Sequence, residues 1–472
     1  MPVEVRQVTQ AYKFALDPTP TITRRFTSHA GGARFAYNWG LARTAEALDA
    51  YAAEKTAGVD KPTVKVPSHF DLCKAWTVFK DDPVNGVGWV GENFVGTYQA
   101  ALRDAAQAWS RFFKSRSGKL AGARVGRPRF KSKHRARRSF QVHGSTLRVS
   151  DAHHVVLPKI GPVKTHESTR KLLRRVSKGT ARVVRGTVSQ HSDGRWYIAL
   201  TVEVQREVRT GPSARQRAGG TVGLDLGVRS VAVDSDGTVY DNPRFLEGSL
   251  ARLAAAQRVL SRRLAAAPKG APRSGRARKA QARVARLHAR VGFQRADFLH
   301  KLSTSLVHGH ERIAVEGWDV ARVAATGSED VPARVRRGRN RALADTGVGM
   351  LRWQVVSKSV WYGCDVAVLG KHESTGRTCS SCGQVRTKPV LPAEDTFRCP
   401  GCGWSGDRRV NSARVVARLA AEVSDASSGG ESLNARGEGV SPVVPRGGRR
   451  SSGKREARAR PIGRGESGTP GP

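Results

Sequence analysis

The sequence predicts a multidomain α+β protein on three grounds. Alternating strand-like segments flank a long helical stretch in the first half of the chain. In the second half, two apolar strands each carry a carboxylate where burial calls for an apolar side chain, at Asp225 and at Glu316. Near the C-terminus lie two Cys-x-x-Cys pairs, Cys379/Cys382 and Cys399/Cys402, sixteen residues apart.

Val5 to Leu16 alternates as a strand does, and Asp17-Pro-Thr-Pro ends it. Residues 21–55 read as a helix, with Phe26, Ala33, Tyr37, Leu41 and Leu48 near helical spacing, and residues 91–114 as a second, with Phe94, Tyr98, Leu102, Trp109 and Phe113 on one stripe. Aromatics at that spacing are read as core. Between residues 126 and 140, seven of fifteen side chains are Lys or Arg: Arg127, Arg129, Lys131, Lys133, Arg135, Arg137 and Arg138. That density, with Phe130 and Phe140 interleaved, points to nucleic-acid phosphates, against the plainer reading of a solvated charged linker. Leu147-Arg-Val, His154 to Leu157 and Trp196 to Val204 are short strands, with a turn at Ser192-Asp-Gly. A small β-barrel follows, its first strand at the N-terminus and the two long helices inserted between strands.

From Gly219 the character changes. Thr221-Val-Gly-Leu-Asp-Leu-Gly is an apolar strand interrupted by Asp225, and Gly227 leaves room for a metal ion or a phosphate. Two Arg/Ala-rich helices, 246–266 and 274–308, form a basic hairpin, with residues 273–290 a second candidate RNA surface. They lead into a strand bearing Glu316, and a later strand starts at Asp365. Asp407 opens the segment Asp-Arg-Arg-Val-Asn-Ser-Ala-Arg, which reads as a helix start. Strand acid, strand acid and helix-leading acid is the layout of an RNase H-like nuclease core. In such a core carboxylates hold two divalent ions about 3.5–4 Å apart for phosphodiester hydrolysis, and Mg²⁺ suits those oxygen ligands.

The four cysteines match a tetrahedral structural zinc site, each pair gripping the metal from a tight turn that Gly383 or Gly403 completes. Chance motifs or disulfides are the weaker reading, since Cys73 and Cys364 are isolated and are read as small buried apolar residues. The formal charge of +43, from 82 Lys and Arg against 39 Asp and Glu, exceeds what solubility requires and predicts a polyanionic partner. Arg-rich codon usage explains part of that excess but not the shortage of acids. No apolar run approaches a membrane span, and the expected location is the cytoplasm of a prokaryote. From Val423 onward Ser, Gly, Pro and Arg dominate, which predicts a disordered basic tail over residues 423–472.

Six segments together carry a resemblance: Phe14-Ala-Leu-Asp-Pro-Thr-Pro, the stretch from His29 to Ala42, Gly223-Leu-Asp-Leu-Gly-Val, Ile313 to Val320, Ser374 to Gly383, and Asp407 to Arg414. They resemble TnpB (OrfB) of insertion sequences and, equally, the miniature type V CRISPR effectors descended from it. The resemblance spans residues 8–422. It implies a wedge β-barrel (1–17 and 126–215) with an inserted helical recognition domain (18–125), then a RuvC-like nuclease core (219–371). A zinc-ribbon target-nucleic-acid-binding insertion (372–405) and a last RuvC helix (406–422) complete it. It also implies a guide RNA that reads double-stranded DNA by base pairing while the protein reads a short flanking motif. Whether the chain is transposon-encoded or a CRISPR effector, and whether one copy or two serve each guide, stays open.

One position departs from the family pattern. The third acid of such proteins lies two residues before the Asn, and here that residue is Arg409. An arginine cannot ligate Mg²⁺. Either Asp407 supplies the third carboxylate, with Asp319 and Asp345 as further candidates, or the site is weakened. The expected function is therefore an RNA-guided, Mg²⁺-dependent DNA endonuclease with Asp225, Glu316 and Asp407 as catalytic metal ligands. The alternative is an RNA-guided DNA-binding protein that cuts weakly or not at all.

Overall fold

The structure, a computed structural model, describes residues 3–268, 271–317, 332–370, 375–387, 394–426, 432–433 and 439–440. The N-terminal strand β1 (Val3–Asp17) leads through Thr19 into a helix, α1 (Pro20–Thr56). Thr19 caps that helix by accepting from the Ile22 N–H, and Pro20 opens it where its missing N–H costs nothing. Two more helices follow, α2 (His69–Asp81) and α3 (Val95–Arg116). The sequence reading passed over α2, whose start is fixed by reciprocal bonds between Ser68 and Asp71.

β2 (Ser139–His143), β3 (Arg148–Val149), β4 (His154–Leu157), β5 (Gly161–Thr165), β6 (Ala181–Gln190) and β7 (Trp196–Arg209) join β1 in one antiparallel sheet of order β2-β6-β7-β1-β5-β4-β3. The short helix α4 (Arg170–Ser177) lies between β5 and β6. β1 pairs with β7 from Val3↔Arg209 to Leu16↔Trp196, so α1 to α3 do fall between strands of a single sheet. The closed barrel expected from the sequence is not what the hydrogen bonds describe: β2 and β3 are edges, and no ladder joins them among the described residues. The helices supply the reason. Phe26 of α1 packs on Phe140 and Trp196, and Tyr98, Leu102 and Trp109 of α3 join the same core, so the apolar face is covered without closure.

α5 (Ala214–Gly219) leads into a second sheet. Its strands β8 (Thr221–Leu226), β9 (Ser230–Asp234), β10 (Val239–Asp241), β11 (Arg312–Val315) and β12 (Asp365–Val368) run in the order β10-β9-β8-β11-β12. β8, β11 and β12 are parallel, and such strands need helices on both faces. The basic hairpin is α6 (Leu250–Ala265) and α7 (Gly275–Gly309), followed later by α8 (Ala333–Thr346) and α9 (Val348–Tyr362), which meet at Gly347 in the left-handed region (φ 71°). Leu224, Leu226, Ile313 and Val315 pack with α7 and α9, while Ala314 packs with Val416 and Ala420 of the last helix, α10 (Arg408–Ala426). α10 approaches β8 so closely that a Cβ at Gly223 would run into the Ala413 carbonyl. Between β12 and α10 lies a small hairpin of β13 (Thr396–Arg398) and β14 (Ser405–Asp407).

Of the tail expected from Val423, α10 continues to Ala426, and Ser432–Leu433 pairs with Gly439–Val440. The rest lies outside the described residues. Among the described residues no helix is long and apolar enough to cross a membrane.

Candidate functional site

Side chains alternate along a strand, so Asp225, between the inward-packed Leu224 and Leu226, turns to the α10 side of the sheet. Glu316 continues the Ala314 face of β11 in the same way. The parallel register sets Leu224 opposite Val315, which puts Asp225 and Glu316 side by side at the carboxyl ends of adjacent strands. The register therefore places the two expected residues at neighbouring strand ends on the α10 side of the sheet.

Each is already engaged. Arg409 Nε donates to Asp225 Oδ2 at 3.0 Å, with both side chains largely buried. Arg409 Nη1 donates to the Ser230 hydroxyl, and Nη2, buried and without a hydrogen-bond partner, presses on Gly227, where a Cβ would lie 2.7 Å from it. The space that Gly227 leaves beside Asp225 is thus filled by a guanidinium. Burial raises the Asp225 carboxyl above its ordinary value, against the pull of Arg409, Ser412 and Arg408. Glu316 accepts from the Thr375 hydroxyl, whose residue is itself buried.

Asp407 takes a different place. It is exposed and caps α10: its Oδ1 accepts from the Arg409 N–H at 2.8 Å and the Val410 N–H at 3.0 Å. Asp225, Glu316 and Asp407 do not bring their carboxylates within 4.8 Å of one another, as the four cysteines do. Asp345 is committed elsewhere, bound to Arg295 at 2.9 Å and to the Leu246 N–H. Asp319 lies outside the described residues. A pair of Mg²⁺ ions does not fit this arrangement, because the acid that would hold one is paired with a fixed cation that would repel it.

The four cysteine sulfurs lie within 4.8 Å of one another, with Sγ–Sγ distances of 3.7 Å (Cys379–Cys402) and 3.6 Å (Cys382–Cys399). Tetrahedral zinc with bonds of about 2.3 Å requires sulfurs about 3.8 Å apart, so the cluster fits a zinc ion. Gly383 (φ 82°) and Gly403 (φ 72°) make the left-handed turns, and their N–H groups return to the carbonyls of Cys379 and Cys399. The sequence reading missed the clamp between this module and the acidic site. Asn411 of α10, fully buried, accepts from the Ser380 N–H and donates to the Thr378 carbonyl. Its place in Asp-Arg-Arg-Val-Asn-Ser-Ala was the signal that could have found it.

The basic stretch is exposed at Arg127, Arg129, Lys133, Arg135, Arg137 and Arg138. Arg127 lies over the Trp109 ring (5.3 Å), while Arg137 and Arg138 bond Ser189 and Gln190 of β6. Lys131 differs: it is half-buried, its Nζ 3.6 Å from the Tyr37 ring centre, with burial lowering the ammonium and Asp104 pulling the other way. Phe140 is core, not a partner for bases, whereas Phe130 is exposed. Of the isolated cysteines, Cys364 is buried as expected, but Cys73 is half-exposed beside His69.

The chain matches three family models: "Probable transposase" of the OrfB type over residues 199–326, "Cas12f1-like, TNB domain" over 349–416, and "Helix-turn-helix domain" over 7–53. The last covers most of β1 and most of the single helix α1. A relative from Mycobacterium tuberculosis (strain H37Rv), named "Putative RNA-guided DNA endonuclease Rv2885c", is 32% identical over 96% of this chain and 95% of its own length. A "Putative RNA-guided DNA endonuclease" of Streptomyces pristinaespiralis is 29% identical over 93% of each chain, and InsQ of Escherichia coli K12 is 28% identical over 86% of this chain and 91% of its own. The chain belongs to this TnpB (OrfB) family.

Proposed function

We propose that the chain is an RNA-guided DNA endonuclease. A guide RNA lies on the basic surfaces, pairs with one strand of a double-stranded target beside a short flanking motif, and directs phosphodiester hydrolysis to the carboxyl ends of β8 and β11. The observation that carries this reading is the placement of Asp225 and Glu316 in register on adjacent parallel strands of a sheet ordered β10-β9-β8-β11-β12, the arrangement expected of an RNase H-like core. The near full-length similarity to relatives bearing that name supports it. The cysteine cluster holds a structural zinc ion, which fixes the module that Asn411 ties to α10.

Catalysis of this type draws on divalent ions to activate water and stabilise the leaving oxygen. In this chain Asp225 would have to release Arg409 before it could ligate one. That pairing favours a second reading, guided DNA binding with little or no cleavage.

Plasmid cleavage with the cognate guide, alongside a gel-shift assay for target binding, tests both. The first reading expects guide-dependent cutting that Glu316→Ala abolishes while binding persists. Binding without any cutting would leave the second reading, and absence of guided binding would overturn both.

A further inference from the structure

The least expected feature of the acidic site is a second positive residue in the first turn of α10. A helix N-terminus already carries positive partial charge, so Arg408 and Arg409 side by side oppose the helix dipole. The ion pair Arg409 makes with Asp225 and its hydrogen bond to Ser230 offset that cost.

We propose that Arg409 serves Asp225 as a tethered counter-cation in the place where a divalent ion would otherwise sit, so that the strand-end carboxylates take up divalent ions weakly. The inference rests on the functional reading only in taking the ends of β8 and β11 as the site. The guanidinium is fixed on every side: Nε on Asp225 Oδ2, Nη1 on the Ser230 hydroxyl, and Nη2 against the Gly227 backbone. Asp407 lies apart from this balance: it is exposed, its Oδ1 caps α10, and its carboxylate does not join those of Asp225 and Glu316 within 4.8 Å. Asp225 therefore has its charge met by the protein itself.

Manganese ion is the probe, titrated into zinc-loaded, nuclease-treated full-length protein and followed by the electron paramagnetic resonance of the free ion. Wild type should show only a weak site, which Asp225→Asn removes. Arg409→Asp, which also suits the helix N-terminus, should gain a site about 10–100-fold tighter, a gain that adding Asp225→Asn cancels. Arg409→Gln removes the charge with less change of shape and should move affinity in the same direction, which keeps the test sound if the aspartate variant fails to fold. A wild-type site sensitive to Asp225→Asn and as tight as that of Arg409→Asp would overturn the proposal. So would the absence of any gain in folded Arg409→Asp and Arg409→Gln. Cleavage assays on the same variants are a separate readout: a metal-binding Arg409→Asp that never cuts guided targets would leave this inference standing and count against the endonuclease reading.

Discussion

Arg409 Nε lies 3.0 Å from Asp225 Oδ2, and the pair bridges the first turn of α10 to β8, the central strand of the second sheet. Removing one member of a buried ion pair strands the other. Arg409→Met should therefore cost about 3 kcal/mol of stability, while Arg409→Met with Asp225→Leu should recover much of it. Urea unfolding of the wild type and the two variants checks this. Equal stability of wild type and Arg409→Met would show that the pair contributes nothing.

Gly227 controls the same pair from the backbone side. A methyl there would lie 2.7 Å from Arg409 Nη2, so the guanidinium would have to shift from its bonds to Asp225 and Ser230. Gly227→Ala should cost about 1–3 kcal/mol, and less in an Arg409→Met background, where the Ser230 carbonyl oxygen, 3.1 Å from the new methyl, is the close contact that remains. A double-mutant cycle measures the difference.

The cysteine cluster should carry its own folding energy. Cys382→Ser leaves three thiolates, so the variant should lose its zinc and loosen the segment that Asn411 holds to α10. Elemental analysis gives the metal content and limited proteolysis the loosening. Full zinc occupancy in Cys382→Ser would contradict the assignment.

His29 makes the first core pH-sensitive. Its Nε2 accepts from the Phe94 N–H, so the proton sits on Nδ1, which donates to the Arg25 carbonyl. Burial lowers its value below the ordinary 6.5. The unfolded chain therefore takes up the proton first as pH falls, so the contribution is complete above that value and declines as pH drops through the folded one. Urea midpoints should fall between pH 7.5 and pH 5, and His29→Gln should flatten that difference.

The basic stretch should divide by burial. Lys133→Ala and Arg135→Ala remove exposed charges, so each phosphate left without its cation should lower the log-log salt slope of RNA binding by roughly 0.7–0.9 without changing stability. Lys131→Ala should instead lower the melting temperature, since its ammonium packs on Tyr37 and faces Asp104. Salt-dependent filter binding and thermal melts separate the two effects.

Features that depend on local pattern could be read directly from the chain. The four cysteines were legible because a Cys-x-x-Cys turn creates its geometry within a few residues, and the sheet acids because a carboxylate between apolar neighbours stands out. Helices α1, α3 and α7 followed from periodicity within a few residues of their ends. Short α2 escaped because a capping box, more than a long apolar stripe, defines it, and α4 because its eight residues are too few to show a period. What each charge meets was settled only by folding. Asp407 and Arg409 are two residues apart, and sequence reasoning offered the acid as the ligand and the arginine as the anomaly. In the fold α10 begins at Arg408, so Asp407 turns to the helix N–H groups while Arg409 points into the sheet and takes Asp225. Phe130 and Phe140 looked alike in the basic stretch, but only Phe140 lies on a strand facing α1. Such partnerships join residues far apart in the chain, and no local propensity encodes them.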